Sequence, residues 1–131
     1  MGRFLVVDEG AIRDGRCTDV YFERVAGVME MDGVNPYVTM EVTAAMLPGP
    51  WGVFCGLNDA VELLEGLPVD VDAMPEGSIF SPNEPVLRVS GRYRDFAVYE
   101  TAILGFLCHA SGVASAAARI VIAAQGRPVT A

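Results

Sequence analysis

Tyr21 and Arg24 stand three residues apart in T-D-V-Y-F-E-R, residues 18–24, a spacing that puts both on one face of a helix. Tyr21 would lie in the first turn, where free backbone N–H groups and the helix dipole favour an anion. An aromatic ring beside positive potential suits an aromatic carboxylate. The plainer alternative is that Tyr21 only packs and Arg24 only pairs with an acid such as Glu23 or Asp32.

Other reactive side chains are sparse. His109 is the sole imidazole and lies in an apolar helical run, the setting of a satisfied core or interface histidine. There is no G-x-G-x-x-G, no P-loop and no H-E-x-x-H, so no catalytic residue and no metal ligand is expected. Cys17, Cys55 and Cys108 are odd in number and form no C-x-x-C pair, which argues against a disulfide framework or a zinc site and for a reduced, cytoplasmic setting. The chain has no lysine among its 131 residues, excluding a Schiff base or a lysine-linked biotin or lipoyl group.

A net charge of -8 argues against nucleic acid, because neutralising phosphates requires excess Lys and Arg. Arg88, Arg92 and Arg94 could line one face of a strand and add local positive potential, or sit on a solvated face and meet some of the 17 acids. The N-terminal M-G-R-F-L-V-V-D-E-G reaches acids too soon for a signal-peptide core. Residues 101–118 carry no acidic or basic side chain, yet His109, Ser111 and Gly112 interrupt them, so packed helices are expected rather than a membrane span.

These residues must be positioned by a mixed framework. Residues 18–31 read as a helix with Thr18 or Asp19 as N-cap, Phe22, Val25 and Met29 as its apolar stripe, and Gly33 as its stop. Residues 36–44, 69–74 and 85–93 alternate as half-buried strands, with Val38, Met40 and Val42 on one face of the first and Leu87 and Val89 on one face of the last. Residues 51–55 read as a further short strand, and 58–65 as a helix closed by Gly66. Asp95 and Ser111 are the expected caps of two helices, to about His109 and toward Gln125. The sum is one α+β domain over residues 1–131, with a largely antiparallel sheet and N-terminal helix over about 1–94 and a helix pair over about 95–125.

Residues 74–119, M-P-E-G-S-I-F-S-P-N-E-P through S-G-V-A-S-A-A-A-R, resemble the nicotinate phosphoribosyltransferases, a branch of the type II phosphoribosyltransferases, and the likeness extends back to Thr18. That family makes nicotinate mononucleotide for NAD synthesis from nicotinate and phosphoribosyl diphosphate, commonly assisted by ATP and a magnesium ion. Its T-D-x-Y motif stands intact here as Thr18, Asp19, Val20 and Tyr21. The resemblance implies that Tyr21 stacks on a pyridine ring held in the barrel of a partner subunit of a homo-oligomer, with Asp19 as a cap or orienting group.

The related quinolinate phosphoribosyltransferases carry A-E-R where this chain has Tyr99, Glu100 and Thr101. Their Arg helps recognise a dicarboxylate, so Thr101 favours nicotinate, the monocarboxylate. The family's α/β barrel, with its F-G-x-R-R motif, phosphate site and metal ligands, would follow the last residues of this sequence. The implied reading is a substrate-capping and dimer-forming N-terminal part, inactive alone: a truncation, a partial sequence or half of a split enzyme. Alternatives are the quinolinate branch and a non-enzymatic binding module, which would expose no apolar surface.

Overall fold

A computed structural model describes residues 8–130; the signal-peptide reading of the first residues falls mainly outside them. β-Alternation is realised as a three-stranded antiparallel sheet of β1 (Tyr37–Val42), β3 (Val69–Ala73) and β5 (Leu87–Arg92), in the order β1-β5-β3. The central strand buries Leu87 and Val89 and exposes Arg88 and Arg92, as period-two patterning requires. Its register places Met40 and Val71 on either side of Val89, so the apolar residues of three strands share one face. A second, two-stranded antiparallel sheet pairs β2 (Gly52–Val53) with β4 (Ile79–Phe80).

Helices cover the apolar faces. Helix α3 (Leu57–Leu64) buries Ala60, Leu63 and Leu64, neighbours at helical spacing. It starts from Gly56 at φ +96, where an added Cβ would lie 2.6 Å from the Phe106 carbonyl oxygen; only glycine fits there. The first amides of α3 are satisfied from a distance: Glu76 Oε1 accepts from Gly56 N at 2.9 Å and from Leu57 N at 2.8 Å.

Two elements were not anticipated. Helix α1 (Glu9–Arg13) is capped by the Asp8 carboxylate, which accepts from Ala11 N at 2.9 Å, and braced by a Glu9–Arg13 ion pair. Strand β4 is only two residues long, and its pairing is set by the β2 partner rather than by alternation.

The expected helix pair is instead α4 (Tyr93–Phe96), one 3-10 turn (Ala97–Tyr99) and a single unbroken helix α5 (Glu100–Ala124). Ser111 does not cap a new helix, because its hydroxyl is committed sideways. It donates to the Cys55 carbonyl and accepts from Cys55 N, both at 3.0 Å. One turn on, Ser115 Oγ accepts from Val53 N at 2.8 Å. Ile103, Leu107, Ser111 and Ser115 therefore form one seam at four-residue spacing, with aliphatic contacts first and hydroxyl links to the chain around β2 after. Arg94, expected on the last strand's face, falls in α4 because the strand ends at Arg92.

Candidate functional site

Helix α2 (Val20–Met31) carries the residues singled out from the sequence. Phe22 is 4% exposed and anchors the helix, with Val25 and Met29 half-buried beside it, as the apolar stripe predicts. Tyr21, one position earlier, faces outward and is 49% exposed. Its ring lies against that of Phe22, with centroids 4.2 Å apart and planes tilted by 35°.

Asp19 holds the N-cap position but its side chain makes no capping hydrogen bond. The hydroxyl of Thr18 is buried without a hydrogen-bond partner, so Thr18 does not cap the helix either. Arg24 is exposed, and among the described residues it forms no ion pair; the pairing with Glu23 or Asp32 considered above is not made.

What reaches Tyr21 is acidic. Glu100 opens α5, and its charge acts on the Tyr21 phenol from nearby. Partial burial pushes the Glu100 carboxyl up, the nearby Asp19 charge pushes it further, and the Tyr21 hydroxyl partly offsets both. Tyr21 is raised in turn by burial and then by Glu100, Asp19 and Tyr93; Tyr93, the first residue of α4, is raised by burial and by Glu100. The sequence led to an expectation of positive potential here. The charges of Asp19 and Glu100 act on the phenol instead, because the 3-10 turn that leads into α5 packs against α2.

Sequence reasoning missed Glu100 and Tyr93; the available signal was a lone acid at the head of a long apolar helix, one residue before Thr101. Thr101 itself is half-buried in the first turn of α5. The remaining candidates lie apart. Arg88 pairs with Glu41 at 2.6 Å, Arg94 with Glu30 at 3.6 Å, and Arg92 donates to the Asn35 carbonyl at 2.8 Å, so these arginines are satisfied locally. His109 is exposed on α5, not in the core. Cys17, Cys55 and Cys108 are free thiols. Among the described residues no group of three or more His, Cys, Asp or Glu converges as metal ligands do.

Two hollows flank α5. One of about 210 Å³ lies between the sheet and the helix, with Met40, Leu87, Phe96 and Glu100 in its wall. The other, of about 470 Å³, is lined by Leu47, Phe54, Phe80, Leu107 and Ser115 and includes none of the predicted site residues.

The antiparallel α+β architecture is that of the N-terminal domain of type II phosphoribosyltransferases. Residues 19–111 match the family described as quinolinate phosphoribosyl transferase, N-terminal domain, and the chain belongs to that family. Nicotinate phosphoribosyltransferase pncB1 of Mycobacterium tuberculosis H37Rv is 43% identical over an alignment covering 88% of this chain and 32% of that protein. The crystal structure of nicotinate-nucleotide pyrophosphorylase from Pyrococcus furiosus superposes with a TM-score of 0.90 at 49% identity, covering 98% of this chain and 33% of that one. Human nicotinic acid phosphoribosyltransferase superposes at a TM-score of 0.76 and 26% identity, over 86% of this chain and 29% of that one. The chain thus spans about a third of the length of these relatives, and it is a nicotinate phosphoribosyltransferase-like N-terminal domain.

Proposed function

We propose that this chain is the substrate-capping part of a nicotinate phosphoribosyltransferase, without turnover of its own, and that Tyr21 supplies a stacking face for the nicotinate ring bound in a barrel domain. The observation that carries this reading is the open ring of Tyr21 in an intact T-D-x-Y motif, held on a helix whose next residue, Phe22, is locked in the core. A rigidly mounted aromatic orients a flat ring at small entropic cost, aligning its nitrogen with the anomeric carbon.

In the reaction, the ring nitrogen forms a bond to C1 of the phosphoribosyl donor while the bond from C1 to the diphosphate oxygen breaks, its electron pair leaving with diphosphate. Positive charge develops on the ring nitrogen and on the sugar. The Asp19 and Glu100 carboxylates beside Tyr21 favour that charge, whereas the nicotinate carboxylate must find its cations elsewhere, in the barrel or at Arg24. Thr101 leaves the rim one cation short for a second carboxylate.

A second reading, the quinolinate branch, draws on the name of the matched family and on the 49% identity to the Pyrococcus furiosus protein. One chimera separates the two: residues 1–130 of this chain replacing the matching part of the M. tuberculosis relative. Turnover of nicotinate in preference to quinolinate is expected, with Tyr21→Ala raising the nicotinate KM by about two- to tenfold, the worth of one aromatic stacking contact. Preference for quinolinate in the chimera, not requiring Thr101→Arg, would overturn the assignment. An unchanged KM in Tyr21→Ala would remove the stacking role.

A further inference from the structure

The two hollows beside α5 differ in more than size. The wall of the larger contains no charged side chain, and its serine hydroxyls, on Ser111 and Ser115, are already committed to Cys55 and Val53. The smaller holds a carboxylate. Its floor belongs to the core, with Leu87, Val89 and Phe96 all buried. Its rim is open: Thr43 and Leu104 are exposed and Glu100 is half-buried.

Among the described residues no cation pairs with Glu100, whereas Glu41, the other acid in the same wall, is engaged by Arg88 at 2.6 Å. A half-buried carboxylate above an apolar floor, without a counter-charge, costs folding free energy, and such local conflicts concentrate where function requires them. Burial and the Asp19 charge both push the Glu100 carboxyl up, the direction of an acid that an incoming cation would relieve.

The floor decides what kind of cation fits. A strongly hydrated inorganic ion has nothing to gain from hydrocarbon, whereas an amine on an apolar body keeps its charged head at the rim and buries the rest. Size sets the limit. The hollow of about 210 Å³ exceeds the roughly 150 Å³ of an apolar cavity that takes up one benzene ring, leaving room for a ring with a short arm. A carboxylate on that arm would meet Glu100 as a like charge, so this is not a second place for nicotinate.

We propose that the hollow between the sheet and α5 binds a small organic cation, a protonated amine on a compact aromatic body, with the ring against Leu87, Val89 and Phe96 and the ammonium at Glu100. Such a ligand bridges the central strand and the first turn of α5. The site makes no use of the Tyr21 ring, and it stands whether or not Tyr21 stacks on nicotinate.

Benzylamine is the probe, titrated into the 131-residue chain and followed by backbone amide shifts at Val89 and Phe96, which line this hollow and not the larger one in the case of Val89 and Phe96 alike. Saturable binding is expected, about five- to tenfold tighter than that of benzyl alcohol, which has the same shape without the charge. Benzoate should leave these amides unmoved. Glu100→Gln should weaken benzylamine to the level of the alcohol and leave the alcohol unchanged. Met40→Trp fills the same hollow from β1, at a position that does not line the larger one, and should abolish the benzylamine shifts. Equal binding of amine and alcohol, or benzylamine binding unchanged in Glu100→Gln, would overturn the proposal. Shifts at Cys108 and Ser115 in place of Val89 and Phe96 would put the amine in the larger hollow and refute the assignment. Glu100→Gln decides the matter even where Met40→Trp fails to fold.

Discussion

The two halves of α5 are alike in composition and opposite in circumstance. In the first, Ala102, Ile103 and Leu107 are buried against the sheet and α3; in the second, Ile120, Val121 and Ile122 are 53%, 60% and 66% exposed. Together with α4 the helix is long and apolar enough to cross a membrane by length and composition alone, yet its first half is core. Hydropathy reports what a helix can bury, whereas its partners decide what it does bury. Where β2, α3 and the sheet lie alongside, α5 is core; beyond Ser115 none of the described elements covers that apolar face. A self-sufficient binding module would not be expected to leave such a surface.

The contrast can be broken most sharply with a matched pair of truncations. Leu107→Ala should cost about 2–5 kcal/mol in denaturant unfolding, while Ile122→Ala should stay within about 0.5 kcal/mol. An equal loss at Ile122 would mean that the distal face is covered in solution, and sedimentation would then show self-association. At the boundary between the halves, Ser115→Ala strands the Val53 amide and should cost about 1–3 kcal/mol, read by the same unfolding curves. No measurable loss there would mean that the seam is held by packing alone.

The smallest effect concerns the head of the helix. Burial and Asp19 raise Glu100 above its ordinary 4.5, so the folded state holds its proton more tightly than the unfolded state does. The stability this contributes is complete below the unfolded-state value and is lost as pH rises through the folded-state value. Glu100→Gln should therefore flatten the fall in Tm on going from acid toward neutral pH and raise Tm slightly at pH 7. A Gln variant whose pH profile parallels the parent chain would show that Glu100 is not perturbed.

Much of the framework was legible because its signals are local. Alternation at Val38, Met40 and Val42, and at Leu87 and Val89, located strands β1 and β5, and Gly33 and Gly66 marked helix ends where φ is positive. The break expected at Ser111 failed because a serine hydroxyl reads as a cap in sequence but is used here to bind Cys55. Strand β4 was hidden because two residues cannot show a period. At the site, Tyr21 was legible as an exposed aromatic on a helix start. The sign of the charge around it was not, because Asp19 looked like a cap and Glu100 arrives from a helix far along the chain.

The continuity of α5 also makes it a spacer. At about 1.5 Å per residue, the unbroken run from Glu100 to Ala124 holds its two ends about 36 Å apart. Tyr21 stands at one end of that span. A segment beginning at Gln125 must double back along the whole helix to reach the ring, whereas the same segment from a second copy is under no such constraint.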